Sequence, residues 1–293
     1  MTSPTALDAA PASLPRAARD AVIGIGFLCV MDALIKLLSA RYPVLEIAFL
    51  RFAFGSLAIL AILAVVRPPV PSRETVRINF VRALLVVATA VCFFYALSVL
   101  PLADTVALSF LAPIFMALFA ALFLGERLDR RVLAALAIGF SGMLVIVFGG
   151  IGLEAGARNL LGIVAALTSA VTYALAMVLL RARARRDGIV AIVAFQNVFP
   201  ALVLAGPAAF VWTPLALSDT WLFALIGVLG VSGHLMLARA FRAAEAARLA
   251  PLDYTSLVWA SVLGFVLFAE VPGVATIAGA GLIVAAALVV SRR

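Results

Sequence analysis

The chain has 293 residues, of which 66% are hydrophobic and only 12% are charged, and its formal net charge is +8. A soluble globular domain is closer to half apolar and a quarter charged, so this composition excludes that class and predicts an integral membrane protein. The apolar residues form continuous runs, which favours membrane-spanning helices over a β-barrel. The basic residues are scattered in short links between these runs, so the positive charge does not indicate nucleic-acid binding.

Ten apolar runs follow one another along the chain, and their lengths are close to the number of residues that crosses a bilayer. They predict spans at residues 20–40, 44–66, 79–99, 101–124, 132–149, 159–180, 190–211, 220–241, 249–269 and 273–291. The residues before the first span include three prolines and no apolar core, which predicts a flexible cytoplasmic tail over residues 1–18 and no cleavable signal peptide.

The distribution of basic residues orients these spans. Of the 22 Arg and Lys residues, eighteen fall in the tails and links on the side of the N-terminus. Only Arg41 and Arg158 fall in links on the other side, while Lys36 and Arg51 lie within spans. The positive-inside rule therefore predicts a multi-pass membrane protein with both termini in the cytoplasm.

Spans four and five share a faint internal repeat with spans nine and ten. When Glu126 is aligned with Glu270, Phe110 falls on Tyr254, and three further positions are identical. The identical pairs are Ala96 with Ala240, Ala103 with Ala247, and Leu108 with Leu252. Because five spans separate the two copies, the second copy crosses the membrane in the opposite direction.

The repeat predicts a division of the chain into two halves. We expect a first five-helix repeat over residues 19–149, an outer connecting loop over residues 150–158, and an inverted second repeat over residues 159–293. Inverted repeats recur in secondary transporters, where they give alternating access to a site near the middle of the membrane.

Four ionisable residues of the first two spans are candidate functional residues, because charge inside a membrane is costly. Asp32 and Lys36 are four residues apart on one face of the first helix, so they could form a zwitterion site in which Lys36 binds a carboxylate and Asp32 an ammonium. Alternatively, Asp32 would pair with Arg51 across the first helix hairpin. Lys36 would pair with Glu46 in the same way. We expect Glu46 and Arg51 to be structural, and both interpretations remain open for Asp32 and Lys36.

Three segments resemble the EamA repeat of the drug/metabolite transporter superfamily: residues 95–108 (YALSVLPLADTVAL), residues 124–128 (LGERL) and residues 48–52 (AFLRF). The second repeat departs from the pattern, with Ala269-Glu270 in place of Gly-Glu. Within that family the chain most resembles the bacterial amino-acid exporters of the YddG type. The resemblance implies an all-α integral membrane fold of ten transmembrane helices in two inverted five-helix repeats. It also implies a central cavity lined by the first, third and fourth helices of each repeat.

The helices that the family would place around this cavity carry five aromatic residues: Tyr95, Phe110, Tyr173, Tyr254 and Trp259. Their rings would suit an aromatic or bulky amino acid, including through cation–π contact with its ammonium, although each could equally be a packing residue. We therefore expect an exporter of amino acids with broad specificity, including aromatic and neutral ones. We expect it to be a monomer and not an enzyme, and to need no cofactor or metal. A cationic drug, a nucleotide-like compound and S-adenosylmethionine remain alternative cargoes.

His234, the only histidine, lies past the middle of the eighth span. It could bind substrate or couple transport to protons, but we favour a hydrogen bond to a nearby carbonyl.

Residues 139–142 (GFSG) match the Gly-x-Ser-Gly of intramembrane serine proteases, with Ser141 as nucleophile and His234 as base. Small-residue helix packing explains the motif more simply, so a protease remains a remote alternative. Few ionisable side chains are expected to be buried in the spans, which slightly favours facilitated transport over proton-coupled transport.

Overall fold

The computed structural model describes residues 14–66, 71–124, 130–151, 156–183, 189–243 and 250–291, and the regular secondary structure of these segments is helical. The helices are α1 (Leu14–Leu38), α2 (Val44–Val66), α3 (Arg73–Val99), α4 (Leu102–Ser109), α5 (Ala112–Leu124), α6 (Arg130–Ile146), α7 (Gly156–Arg183), α8 (Ile189–Phe210), α9 (Leu217–Ala243), α10 (Thr255–Phe268) and α11 (Val274–Ser291). A π-helical turn, Val147–Ile151, extends α6, and a 3₁₀ helix, Ala250–Tyr254, leads into α10.

Six of these helices are long and apolar enough to cross a membrane, namely α1, α2, α3, α7, α8 and α9. Shorter apolar helices occupy the positions of the predicted fourth, fifth, ninth and tenth spans. The first helix begins at Leu14, so residues 14–18 are helical and do not belong to a flexible tail; the rest of that predicted tail lies outside the described residues. The predicted outer loop is also shorter than expected, because helix continues to Ile151 and resumes at Gly156.

The predicted fourth span consists of two helices, α4 and α5, that meet at Phe110 and Leu111. The backbone N–H of Phe110 donates to the carbonyl of Ala107 over 3.2 Å, which tightens the end of α4 into a 3₁₀ turn. Pro113 has no backbone N–H and cannot donate to the carbonyl of Ser109, so the helical hydrogen-bond ladder is weakened at this point. The break therefore lies next to the middle of the predicted span.

Helices from the two halves of the chain pack against each other in a recurring pattern. The most extensive packing joins α1 with α9, α3 with α7, α2 with α8, and α6 with α11. Small residues let the backbones approach closely at two of these crossings. A Cβ atom on Gly142 of α6 would lie 2.6 Å from the carbonyl oxygen of Gly279 on α11, and one on Gly24 of α1 would lie 3.0 Å from that of Gly233 on α9.

Polar side chains tie the link between α1 and α2 to the start of α9. Arg41 forms an ion pair with Asp219 over 2.9 Å, and the hydroxyl of Tyr42 donates to the same carboxylate over 2.9 Å. The ring of Tyr42 also packs edge-on against Phe223, which is fully buried. These contacts fix α9 beside α1 and α2, and so position the polar residues described next.

Candidate functional site: a polar cluster between four helices

A cluster of polar side chains lies between α1, α2, α8 and α9. Its members are Asp32 on α1, Arg51 on α2, Asn197 on α8 and His234 on α9. The packing of α2 against both α8 and α9, and of α9 against α1, brings the four helices together around this point. Ionisable groups at such depth in membrane helices are rare and are candidates for substrate binding.

Arg51 is the basic member of the cluster. It is only 3% exposed, and its Nη1 donates to Oδ1 of Asn197 over 3.0 Å. The guanidinium carbon lies 4.2 Å from the centre of the Phe52 ring, a cation–π distance. Its Nε is buried and has no hydrogen-bond partner among the described residues. Arg51 thus retains one N–H donor without a partner in this conformation.

Asp32 is the acidic member of the cluster. No ion pair within 4 Å joins Asp32 to Arg51, so the expected Asp32–Arg51 pair does not form in this structure. Asp32 makes no hydrogen bond to any described residue, and its side chain is partly accessible. A carboxylate without a cationic partner is costly at this depth, which makes Asp32 the most conspicuous candidate for binding a cation.

Lys36 turns away from Asp32 and is bound at the end of α1. Its ammonium forms an ion pair with Glu270 over 3.0 Å and donates to the carbonyls of Leu97, over 3.1 Å, and Leu100 at the end of α3. The other oxygen of Glu270 accepts the backbone N–H of Leu102 over 2.8 Å. We refer to Lys36, Glu270 and these three backbone groups as the latch, because they join the ends of α1, α3 and α10 to the start of α4.

The latch bears on both interpretations of Lys36, as the partner of Glu46 and as a ligand for a substrate carboxylate. The Lys36–Glu46 pair is wrong, because Lys36 is paired with Glu270. Glu46 instead accepts the backbone N–H of Thr213 over 2.9 Å and its hydroxyl over 2.7 Å, which holds the link between α8 and α9. With its three donors engaged, Lys36 offers no free donor to a substrate in this conformation.

The five aromatic candidates do not all meet. The rings of Phe110 and Tyr254 are in contact, perpendicular to each other, with centroids 5.2 Å apart. Tyr95 is half-buried, whereas Tyr173 and Trp259 are 44% and 39% exposed. Trp259 lies against Gly26 of α1, where an added Cβ would be 3.4 Å from its ring. The structure therefore brings together Phe110 and Tyr254 and leaves the other three apart from that pair.

His234 is bound to the backbone of its own helix. Its Nδ1 lies 2.6 Å from the carbonyl oxygen of Gly230, one turn earlier, and donates a hydrogen bond to it. This is the contact that the structural interpretation predicted. No group of three or more His, Cys, Asp or Glu side chains that could hold a metal ion occurs in the described part of the chain.

Comparison with known proteins identifies the family. The sequence profile of the EamA-like transporter family matches the chain twice, at residues 21–148 and at residues 160–292. The chain belongs to the EamA-like transporter family. The resemblance noted in the sequence is thereby confirmed, and the helical bundle described above is that of a multi-pass membrane transporter.

Relatives of this EamA protein are transporters of small molecules. It is 35% identical over 276 residues to the pseudopaline exporter CntI of Pseudomonas aeruginosa strain PAO1, covering 93% of this chain and 94% of that protein. It is 26% identical over 276 residues to an S-adenosylmethionine uptake transporter of Rickettsia bellii, covering 91% and 92%. A solved crystal structure shares the fold, with a TM-score of 0.63 and 21% identity, over 92% of this chain and 97% of its own.

Two residues of this site were not singled out from the sequence of the EamA protein. Asn197 is one of two amides inside the apolar run of α8, and this was the only signal that it has a role. Glu270 was noted only as the counterpart of Glu126, which lies outside the described residues. Both matter here because they hold Arg51 and Lys36.

Proposed function

We propose that this EamA protein exports amino acids from the bacterial cytoplasm by alternating access. The observation that carries the proposal is the unpaired Asp32 carboxylate beside the partly unsatisfied Arg51 guanidinium. A zwitterion offers the complementary charges: its ammonium would pair with Asp32, and its carboxylate with Arg51. Each group would then recover interactions that it lost on leaving water.

Arg51 replaces Lys36 as the carboxylate-binding residue in this proposal. A planar guanidinium can donate two parallel hydrogen bonds to a carboxylate, whereas an ammonium acts as a point charge. Lys36 is occupied by Glu270, whereas Arg51 lies in the same polar cluster as Asp32. Asp32 therefore keeps the role that the sequence suggested, and the role of Lys36 passes to Arg51.

The aromatic pair of Phe110 and Tyr254 supports a broad choice of side chain that includes aromatic and neutral amino acids. Aromatic rings provide large apolar contact surfaces without a fixed hydrogen-bond pattern, so they tolerate different side chains. Tyr95, Tyr173, Trp259 and His234 remain proposed as further contacts, reached when the helices rearrange during transport. Glu46 remains proposed as structural.

The relatives support the substrate class. One exports pseudopaline and another takes up S-adenosylmethionine, whose methionine part carries both an ammonium and a carboxylate. The relative with the higher identity is an exporter, which supports the outward direction. S-adenosylmethionine itself is the second candidate substrate, and a cationic drug or nucleotide-like compound is a more distant one.

The helix pairing supports a fold of ten spans in two inverted repeats. If repeats over residues 19–149 and 159–293 are related by a two-fold axis, α1 corresponds to α7 and α3 to α9. The axis then maps the pair α1–α9 onto the pair α7–α3, and both pairs are packed together in the structure. Residues near such an axis meet their own counterparts, and the contacting Phe110 and Tyr254 are aligned residues.

The arrangement in the membrane follows from the distribution of basic residues and remains part of the proposal. Both termini face the cytoplasm of an inner-membrane protein, which places the latch at the outer end of the bundle. A closed latch blocks exit to that side, and its opening would release the substrate outward. Ten helices suffice to enclose one cavity, so we propose that a monomer transports.

Uptake into proteoliposomes tests the function. Purified protein is reconstituted, and accumulation of labelled tyrosine, leucine and S-adenosylmethionine is measured by counterflow, with and without a pH gradient. We expect uptake of the two amino acids, competed by other amino acids, and a large loss of uptake in Asp32→Asn. Asp20→Asn on the same helix is the matched control, because Asp20 pairs with the exposed Arg19 at the helix end.

The results separate the candidates. Uptake of S-adenosylmethionine alone would replace the amino-acid proposal, and no uptake of any of the three would refute it. Acceleration by the pH gradient would show proton coupling, and indifference to the gradient would show facilitated transport. Asp32→Asn protein that folds poorly but transports normally per folded molecule would show that Asp32 is structural.

A further inference from the structure

Two neighbouring amides of α8 accept hydrogen bonds from two arginines on other helices. Oε1 of Gln196 accepts from Nη2 of Arg82 on α3 over 3.3 Å, and Oδ1 of Asn197 accepts from Nη1 of Arg51 on α2 over 3.0 Å. In both pairs the residue that contacts the guanidinium is a neutral amide. A carboxylate in the same place would bind more strongly but would neutralise the arginine.

Asn197 has one possible orientation. Its Nδ2 donates to the carbonyl of Val193 over 2.8 Å, one turn earlier on α8, and its Oδ1 faces Arg51. Because a carbonyl only accepts and a guanidinium only donates, the amide cannot be flipped without losing both bonds. Asn197 is 1% exposed, so no water competes for these positions. The side chain is a fixed acceptor aimed at Arg51.

Two glycines leave the space that this arrangement needs. A Cβ atom on Gly55 of α2 would lie 3.2 Å from Cγ of Asn197, and one on Gly230 of α9 would lie 2.8 Å from Nη2 of Arg51. The guanidinium is therefore confined between the Phe52 ring, the Asn197 amide and the backbone of α9. Confinement of this kind lowers the entropy lost when a ligand binds.

We propose that Asn197 is a positioning residue that determines substrate specificity: it holds the Arg51 guanidinium in place without neutralising it, so that the transporter selects substrates bearing a carboxylate over the corresponding amines. The inference rests on the proposed function, in which Arg51 binds the substrate carboxylate. An acidic residue at position 197 would take the place of that carboxylate, and an apolar one would leave Arg51 charged but unanchored.

The experiment compares each acid with the amine that lacks its carboxylate. Counterflow in proteoliposomes gives kcat/KM for tyrosine and tyramine, and for S-adenosylmethionine and its decarboxylated form. In wild type we expect the acid to be preferred. Asn197→Asp should lower the acid-to-amine ratio at least tenfold. Asn197→Leu, of similar volume, should raise KM for the acid about tenfold with a smaller change for the amine and little change in kcat.

A matched control places the same charge one residue away. Gln196→Glu faces Arg82 on α3, so it should change the acid-to-amine ratio less than twofold. If Asn197→Asp does not fold, as judged by its melting temperature in detergent, the KM values of Asn197→Leu decide the question. A merely structural Asn197 would lower transport of acid and amine equally.

The two substrate pairs separate this inference from the function on which it rests. If tyrosine is not transported but S-adenosylmethionine is, the amino-acid proposal fails, and the ratio for the second pair still tests Asn197. An unchanged ratio in folded Asn197→Asp, with either pair, overturns the inference and leaves the function standing. Transport of no acid by wild type overturns both.

Discussion

The latch provides the sharpest test of how the two halves of the transporter are held together. Lys36→Met removes an ammonium that donates to Glu270 and to two carbonyls at the end of α3. The side chains of Lys36 and Glu270 are 13% and 24% exposed, so their pairing is screened less than a surface ion pair. A charge-assisted hydrogen bond contributes about 1.5–3 kcal/mol, and breaking a fully buried pair costs about 3–5 kcal/mol.

From these values we expect Lys36→Met to lower the stability of the closed state by about 2–3 kcal/mol. Glu270→Gln should cost about 1 kcal/mol, because an amide oxygen can still accept from Lys36 or from Leu102. In a double-mutant cycle the two changes should be non-additive by up to about 1 kcal/mol, because they remove the same interaction. Arg41→Met, which breaks the more exposed pair with Asp219, should change stability by less than about 1 kcal/mol.

The native cysteine of α1 reports opening directly. Cys29 is buried and precedes Lys36 by seven residues, which places it two turns away, about 10 Å along the same helix face. The labelling is done in a Cys92→Ser background with a membrane-impermeant maleimide added from outside. Cys29 should be labelled faster in Lys36→Met. The rate should rise about tenfold for each 1.4 kcal/mol by which the latch stabilises the closed state. Unchanged labelling, or strict additivity in the cycle, would show that the latch does not hold the closed state.

Three further outcomes follow from single residues. Ala269 has a left-handed backbone with φ of 54° at the end of α10, so Ala269→Gly should raise the unfolding free energy by about 1 kcal/mol; a lower melting temperature would contradict this. Gly142→Val should strongly destabilise the protein in detergent, because even a Cβ there meets the carbonyl of Gly279; normal thermal stability would mean that α6 and α11 can separate at little cost. Ser141→Ala should leave transport within twofold of wild type, since the Ser141 hydroxyl only donates to its own helix at Ala137; abolished transport would show that Ser141 has a role in transport.

Sequence patterns were sufficient for elements whose limits are local. The predicted second span, residues 44–66, coincides with α2, because polar residues and prolines bound that apolar run on both sides. The fourth span was harder, since an apolar run says nothing about where its backbone hydrogen bonds break. Only the lack of an N–H on Pro113 indicates the break, and its consequence depends on the turn before it.

Side-chain partners could not be predicted where they come from the other half of the chain. Similar depth in one helix hairpin favours Glu46 as a partner of Lys36, but the actual partner, Glu270, is 234 residues away and reaches Lys36 through the packing of α1 against α10. Asn197 escaped notice for a related reason. An amide in an apolar run gains significance only when another helix brings a charged partner, here Arg51, within hydrogen-bond distance.

The positions of Asp32 and Lys36 on α1 imply a relation between substrate binding and opening of the latch. The two residues are one turn apart on the same helix, about 6 Å along its axis. If substrate binding at Asp32 moves α1, the movement therefore also displaces Lys36. A ligand shifts an equilibrium only by the difference between its affinities for the two states. To offset a latch of about 2–3 kcal/mol, a substrate must bind the open state about 30–150 times more tightly than the closed one. Substrate should therefore accelerate Cys29 labelling in wild type but hardly in Lys36→Met, where the latch no longer opposes opening. Equal acceleration in both proteins would mean that binding at Asp32 acts on a part of the bundle other than the latch.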